Sequence, residues 1–436
     1  MWLEDIESNM NNTKIVQASL KKRYAKERRF KAYGIFSISL SLLFLSFLLF
    51  DITHKAMPAF TQTYLKLDID FSYKNLKLKE GSRYSEKELF SASYRQLTSK
   101  SLYEIFPEVT NRKDKKVLRN FVSSGAQYNL RDLVIENPSL IGTKKSIWVL
   151  ADDDIDSFAK GLIDRNLPES ERRIKDNQLV WIDTLEADNR IEKRLNIGFL
   201  TQGDSREPEQ AGIWGAIKGS FFTMLITLIL SFPIGVAAAV YLEEFAPKNN
   251  WFVDLIEVNI NNLAAVPSVV FGILGLAVYI NLFGLPRSAP LVGGLVLFLM
   301  TLPTIIIATR AAIKSVPPSI REAALGVGAS KMQMISHHVL PLAMPGILTG
   351  SIIGMAQALG ESAPLLMIGM VAFVADIPQG FMDPSTVLPV QIFIWSDSPE
   401  RAFIALTSAA IVVLLIFLFL MNLLAIILRK KFETRW

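Results

Sequence analysis

The sequence predicts a mainly α-helical polytopic membrane protein of about six transmembrane helices, with an inserted α+β extracytoplasmic domain. Three observations carry that class. First, 50% of the 436 residues are hydrophobic and mean hydropathy is +0.31. That is too apolar for an average soluble protein, yet the 20% of charged residues is too many for a bare helix bundle. Second, long apolar runs recur, one near the N-terminus and the rest crowded into the second half. Third, residues 51–211 between them lack such runs and mix charges of both signs.

Composition also excludes function classes. The formal net charge of +5 is small, and its basic residues gather at the N-terminus, around residues 314–341 and at the C-terminus. That distribution is a topology signal and does not suggest nucleic-acid binding. With no cysteine, disulfides, thiolate catalysis and Cys metal sites are excluded. Only His54, His337 and His338 offer imidazole, and they form no spaced ligand set, so no metal is expected.

Residues 1–31 read as a cytoplasmic basic segment, ending in Lys21, Lys22, Arg23, Lys26, Arg28, Arg29 and Lys31. Residues 32–50 then form a transmembrane anchor with its N-terminus inside. A cleaved signal peptide is the competing reading. The long leading region, and the want of a small-residue cleavage site before Met57, favour the anchor.

Residues 51–211 read as a periplasmic α+β domain, long enough to own a core. Alternation of Leu65, Leu67, Ile69 and Phe71 predicts a strand with one buried face. Ser85 and Glu88 cap a helix running to about Phe106, and a second helix covers 116–124. Residues 131–135, 145–150 and 178–184 have strand composition, while 154–163 reads as helical. No catalytic constellation is visible. Arg172, Arg173 and Lys175 suit either an anion or partner contact, or an ordinary solvated face.

Residues 212–430 form a core of five spans, at 212–242, 259–283, 289–313, 345–374 and 402–428, followed by a cytoplasmic tail at 431–436. An inside N-terminus puts the loop at 314–341, with Lys314, Arg321 and Lys331, inside. It also places Arg310 at the inner end of its span and puts the tail residues Arg429, Lys430, Lys431 and Arg435 inside. The segment from Asp376 to Arg401, with Asp383, Asp397 and Glu400, falls outside. The inner loop from Glu243 to Glu257 is net acidic, against the trend.

The loop reads as a helix-turn-helix written in capping signals. Ser319 and Glu322 have capping-box spacing after Pro318, Gly328 suits a left-handed C-terminus, and Ser330 with Gln333 repeats the box. Pro341 ends the second helix or opens the next span. Such short helices are marginal alone, and Ala323, Ala324 and Gly326 offer a small-residue surface for a partner protein. The bland alternative is an ordinary interhelical loop.

Within the spans, Glu361 is costly unless it pairs or lines a wet path, so it is a translocation candidate or a buried ion pair. Arg310 either faces the path or snorkels to the interface, and Arg287 either draws an anion to the outer mouth or is a plain loop cation. Gly346, Gly350 and Gly354 recur every four residues and suit close helix packing. Pro267 and Pro303 either free carbonyls toward a cavity or mark packed kinks.

Glu322, Ala323, Ala324, Gly328, Leu340 and Pro341 match in register the loop of the EAA-loop permease family of ABC importers. That pattern is Glu-Ala-Ala, a Gly after three residues, then Leu-Pro near the twentieth position; His338 replaces a usual aliphatic residue. Segments 261–276, 302–310 and 358–369 resemble the PstA-type phosphate permeases in particular, with Gly360 to Pro364 fitting a Gly-Glu-Thr-Ala-Pro-like segment as Gly-Glu-Ser-Ala-Pro. Gln357 stands about where relatives often place an Arg. The resemblance covers about residues 212–430.

It implies a type I ABC importer permease that moves inorganic phosphate by alternating access. Ser319, Arg321, Glu322, Ala323, Ala324, Gly328, Leu340 and Pro341 would form the ATPase-coupling loop, and Glu361, Arg310, Arg287 and Gln357 are path candidates. Implied partners are a second homologous permease (PstC-like), an ATPase homodimer (PstB-like) and a periplasmic phosphate-binding protein (PstS-like). No G-x-x-x-x-G-K-[ST] run occurs, so ATP and Mg belong to the partner ATPase and no cofactor is expected here. A permease for another oxyanion or solute, or a membrane-anchored sensor or scaffold, are the alternatives.

Overall fold

The computed structural model describes residues 2–81, 84–247 and 249–432; Arg435 of the basic tail lies outside them. The chain divides into two compact units, Met1–Lys55 and Ala56–Trp436. The first is one long helix, α1 (Trp2–Ala56), with Glu27 paired to Lys31 and Asp51 to Lys55 one turn apart. Its apolar stretch is uncovered, Ile35 being 66% and Phe44 63% exposed. Such a surface needs lipid or protein around it, in keeping with the expected anchor.

In the second unit, the sheet of the inserted domain has the order β2-β1-β3 and is antiparallel throughout. The central strand β1 (Thr61–Asp70) carries the alternation seen in the sequence, with Leu65, Leu67 and Ile69 fully buried and Phe71 continuing the row. Around that face pack α2 (Glu86–Ser91), α3 (Arg95–Ile105), α4 (Arg112–Arg119) and α5 (Ala126–Glu136). Strand β2 (Lys144–Leu150) sets Val149 opposite Leu65; α6 (Asp153–Ala159) and α7 (Asp176–Ala187) follow, and β3 (Ile191–Leu195) closes the other edge. Leu102, Phe121 and Trp181 belong to the same core, each such side chain contributing roughly 1.5–3 kcal/mol. The opposite face is covered by cations on rings, Arg194 lying 4.7 Å from the Trp148 centroid and 5.3 Å from that of Tyr64.

Several sequence expectations here are corrected. Residues 131–135 lie in helix α5, whose buried Ala126, Leu130 and Val134 fall on one helical face. Residues 178–184 lie in helix α7, where Trp181, Ile182 and Leu185 are buried. In both, burying one helical face in the shared core overrides strand-like composition. The Ser85 capping box forms, but its helix stops at Ser91 and α3 starts afresh at Arg95. Asn111 caps α4, starting it earlier than expected.

The membrane core begins with α8 (Trp214–Val240), which ends in a π-helical turn over Tyr241–Phe245. Then come α9 (Trp251–Ala264) and α10 (Ser268–Leu274), the latter running into a π-helical stretch to Leu282, and α11 (Pro290–Lys314). Helices α12 (Pro318–Gly326) and α13 (Lys331–Met334) form the loop, and a π turn joins α13 to α14 (Leu340–Gly360). The chain finishes with α15 (Ala363–Met367), α16 (Leu388–Ser396) and α17 (Ala402–Phe432). Five helices are long and apolar enough to cross a membrane, or six if the bent pair Trp251–Ala264 and Ser268–Leu282 is one span.

That pair corrects the straight span expected at 259–283, because its halves meet at 104°. Pro267 has no N–H to give and biases Val266 away from helix, so the chain turns there. The span expected at 345–374 is also displaced. Its apolar helix runs from Lys331 to Gly360 and breaks at Glu361, ahead of Pro364.

The Gly triplet packs as its spacing foretold, since α14 lies on α11 with small residues facing small residues. A Cβ on Gly346 would come within 2.8 Å of the Ala312 methyl, Gly350 faces Ala308, and Gly354 faces Thr304. Two matching four-residue rows thus bring the backbones together. The inserted domain meets the core through Phe60, Phe199, Trp395 and Phe403, whose successive ring centroids are 5.7, 6.4 and 5.9 Å apart. At that junction the Trp395 indole N–H donates to Asp204 at 2.9 Å. Burial pushes the Asp204 carboxyl above its ordinary range.

Candidate functional site

The residues of the acidic loop that run against the charge trend in the sequence are the partners of the next loop's cations. Glu243 and Glu244 lie in the π turn ending α8, and Glu257 lies on α9. Arg310, near the end of α11, donates from Nε to Glu243 at 2.5 Å and from Nη2 to Glu257 at 2.6 Å. Lys314 Nζ adds a contact to Glu243 at 3.3 Å. Charge-assisted bonds of this length bind three helices at one end of the core. The Arg310 guanidinium is therefore held by carboxylates. The separation of these residues, 67 and 53 positions in sequence, hides the cluster from pattern reading. The signal available was a complementary charge on two successive loops of one face.

Arg321 ties the loop itself to this cluster. Its Nε and Nη2 donate to Glu244 at 3.1 and 3.0 Å, while Nη1 donates to the Val316 carbonyl at 2.7 Å and Nη2 to that of Ile313 at 2.9 Å. The Glu244 side chain is only 9% exposed, so it depends on this partner. Helix α12 starts at Pro318, with Pro317 in the cap position and no capping side chain. The expected Ser319–Glu322 capping box is thus corrected, because proline's fixed φ starts the helix early enough to carry Ser319 inside it. Glu322 is left exposed and, among the described residues, has no ion pair.

The turn after α12 uses Gly328 at φ +90°, a left-handed conformation that only glycine adopts without strain. Ser330 and Gln333 then make the expected capping box, Ser330 Oγ accepting from the Gln333 N–H at 3.3 Å and the Gln333 side chain accepting from the Ser330 N–H at 2.9 Å. Pro341 does not end the helix but sits in the first turn of α14. Ala324 turns inward against Ala312, Met334 and Ile335, whereas Ala323 and Gly326 face outward, so the small-residue surface is divided between two faces. At the tip Val327 is 86%, Met332 64% and Leu325 49% exposed. Leu340 is half-buried, and His337 and His338 are exposed.

The path candidates occupy a different part of the core. Glu361 is the residue at which α14 ends, is half-buried, and forms no ion pair among the described residues. The helix that follows it, α15, packs on α10 beyond the 104° bend, with Phe271, Leu365 and Ile368 in one apolar cluster. Two chain breaks, at Pro267 and Glu361, thus precede two helices that touch. Gln357, one turn before Glu361, is exposed. Arg287 is exposed beside Ser288, whose hydroxyl donates to the Gly369 carbonyl at 2.6 Å. Arg310 is at the opposite face, with the carboxylate cluster, so the four residues do not form one site.

Comparison with known proteins agrees with this architecture. Residues 231–436 match the family described as binding-protein-dependent transport system inner membrane component, and residues 17–169 match a domain of unknown function (DUF3333). The probable ABC transporter permease protein YqgI of Bacillus subtilis (strain 168) is 35% identical over 40% of this chain, which spans 58% of that relative's length. The phosphate transport system permease protein PstA of Yersinia pestis is 33% identical over 50% of this chain and 73% of its own. Among solved structures, the MetNI methionine ABC transporter in an inward-facing conformation aligns over 51% of this chain and 98% of its own, at 18% identity and a TM-score of 0.42. On the sequence relatives, the chain belongs to the inner-membrane components of binding-protein-dependent transport systems, among the PstA-type permeases of ABC importers.

Proposed function

We propose that this permease subunit carries inorganic phosphate inward, and that residues 314–341 are the element through which a separate ATPase drives it. One observation supports this most strongly. The loop is fastened to the core on one side by Arg321, and on the other presents Glu322 with the uncovered apolar tip Leu325, Val327 and Met332. Apolar side chains at the tip of a charged loop suit a protein partner.

In this mechanism ATP-driven closure of two ATPase copies pushes α12 and α13. The Arg321–Glu244 and Arg310–Glu243 bonds pass that movement to the ends of α8, α9 and α11. The core then rocks between outward and inward openings, a two-state equilibrium biased by nucleotide on one side and a loaded phosphate-binding protein on the other. The second half of the path would come from a homologous PstC-like permease. Glu361 and the broken segments at Pro267 and Glu361 would line the path, and Arg287 would draw the anion to its outer mouth. The N- and C-termini would be cytoplasmic and the inserted domain periplasmic.

ATP-dependent uptake of radiolabelled phosphate into liposomes holding the complete complex tests this reading. Saturable uptake that excess sulfate leaves unchanged is expected. Uptake of sulfate in preference to phosphate would move the chain to another oxyanion, and no ATP-dependent uptake of either would refute the cargo.

A further inference from the structure

Residues 202–213 carry the chain from the inserted domain into α8, and two buried carboxyl groups that the permease mechanism does not use hold this stretch in place. Near its start Asp204, 8% exposed, accepts from the Trp395 indole of α16. Further on Glu209, 7% exposed, turns to the inserted domain instead, where its Oε1 accepts the Ser123 hydroxyl. Between them the main chain closes on itself, the Gly212 N–H donating to the Gly203 carbonyl at 2.8 Å and the Trp214 N–H to that of Gln202 at 3.1 Å. A displacement at Glu209 is thereby passed to Asp204.

The surroundings of Glu209 suit a carboxylic acid and not a carboxylate. Its backbone is pinned, since Gln62 donates its side-chain amide to the Glu209 carbonyl, but Oε2 has no hydrogen-bond partner. With Asp153, Asp156 and Lys160 of α6 it lines a cavity of about 20 Å³, room for about one water, which α17 closes with the apolar Ala402, Ala405 and Leu406. Lys160 is taken up by Asp156. Among the described residues, the other charged groups near Glu209 are acidic, Asp152 and Asp153 at the start of α6 and Glu207 on its own stretch. An ionised Glu209 would sit buried among like charges with no counter-charge of its own, a costly state. Burial above all, with Glu207 and Asp153 adding to it, holds the carboxyl up to about 7 against the opposing Ser123 hydrogen bond.

We infer that the seam between the inserted domain and the membrane core is a proton-operated latch, closed when Glu209 is protonated and released when it is not. Loss of the proton drives the carboxylate toward water, and the stretch 202–213 leaves with it. Ala59 and Leu406 carry the change to the core, for both line the Glu209 cavity and both belong to the apolar cluster of Phe199, Trp395 and Phe403. The closed form binds the proton more tightly than the open form, so acid closes the latch and a pH rising toward neutrality opens it. The grip of the inserted domain on α16 and α17 thus follows the pH of the compartment it faces, whichever that is and whatever the cargo.

The test is hydrogen exchange of the full-length protein in detergent, corrected for the intrinsic pH dependence of amide exchange. Between about pH 5.5 and about pH 8.5, exchange of residues 202–213 should accelerate at least about tenfold, levelling off above about pH 7. Glu209→Gln, a neutral near-isostere, should keep exchange slow across the whole range. Ser123→Ala removes the hydrogen bond that favours the charged form, so its levelling-off should move to higher pH. Exchange independent of pH in the parent, Glu209→Gln exchanging as fast as the parent does at about pH 8.5, or a Ser123→Ala profile that does not move, overturns the latch.

Discussion

Arg321→Ala removes three hydrogen bonds that fasten the loop to the core, to Glu244 and the Ile313 carbonyl, and a fourth within the loop to Val316, and the structure sets the size of the loss. The Glu244 side chain left behind is 9% exposed, while that of Arg321 is 21% exposed. Removing one member of a buried pair costs about 3–5 kcal/mol, and partial hydration of the guanidinium places this case at the lower end, about 3 kcal/mol. That corresponds to about a hundredfold shift between docked and undocked loop. Hydrogen exchange of residues 319–326 should accelerate by that order in the purified complex. Phosphate moved per ATP hydrolysed should fall while membrane insertion is retained. Arg321→Ala with Glu244→Gln should recover part of the loss, because the orphaned charge is gone. Exchange within twofold of the parent, with coupling intact, would refute the fastening role.

Three further outcomes are expected. Gly350→Val should overpack the contact with Ala308, costing at least about 1–3 kcal/mol and lowering the yield of assembled complex in size-exclusion chromatography; a normal yield would show that α11 and α14 separate freely. Glu361→Gln should slow phosphate uptake with assembly unchanged, and normal uptake kinetics would return Glu361 to a structural part. Burial and neighbouring carboxylates push Glu209 up to about 7 and Asp152 up to about 8, so the folded form holds protons that the unfolded chain releases. Their contribution is therefore full below pH 4 and lost as pH rises toward 8, about 3 kcal/mol for Glu209 alone, and melting temperature should fall from pH 5 to pH 8. A rise over that range would contradict the burial of these groups in neutral form.

Features that depend on a short run of residues were legible in the sequence. The strand of Leu65, Leu67 and Ile69, the capping box at Ser330 and the left-handed turn at Gly328 each follow from local geometry that neighbouring residues dictate. The Gly triplet gave its packing role because spacing alone puts three glycines on one helix face. What failed was set by tertiary context. Residues 178–184 have the β-branched content of a strand, but Trp181 and Leu185 bury on one side only as a helix. Counting apolar residues found the span at 259–283, yet Pro267 folds it through 104°. The charge cluster was invisible for the same reason. Glu243 and Glu257 looked like an exception to the topology rule until the fold brought Arg310 and Lys314 against them.

In the proposed mechanism the tip of the 314–341 loop meets a separate ATPase on the cytoplasmic face. The chain has no cysteine, so Val327→Cys would place its only thiol at an 86% exposed tip position. Site-directed cross-linking in inverted membranes, with and without ATP, reads partner and sidedness together. A cross-link to the ATPase subunit whose yield changes with nucleotide is expected, with no labelling of intact cells by an impermeant thiol reagent. Labelling from outside, or a thiol that never reaches the ATPase under either condition, would contradict it.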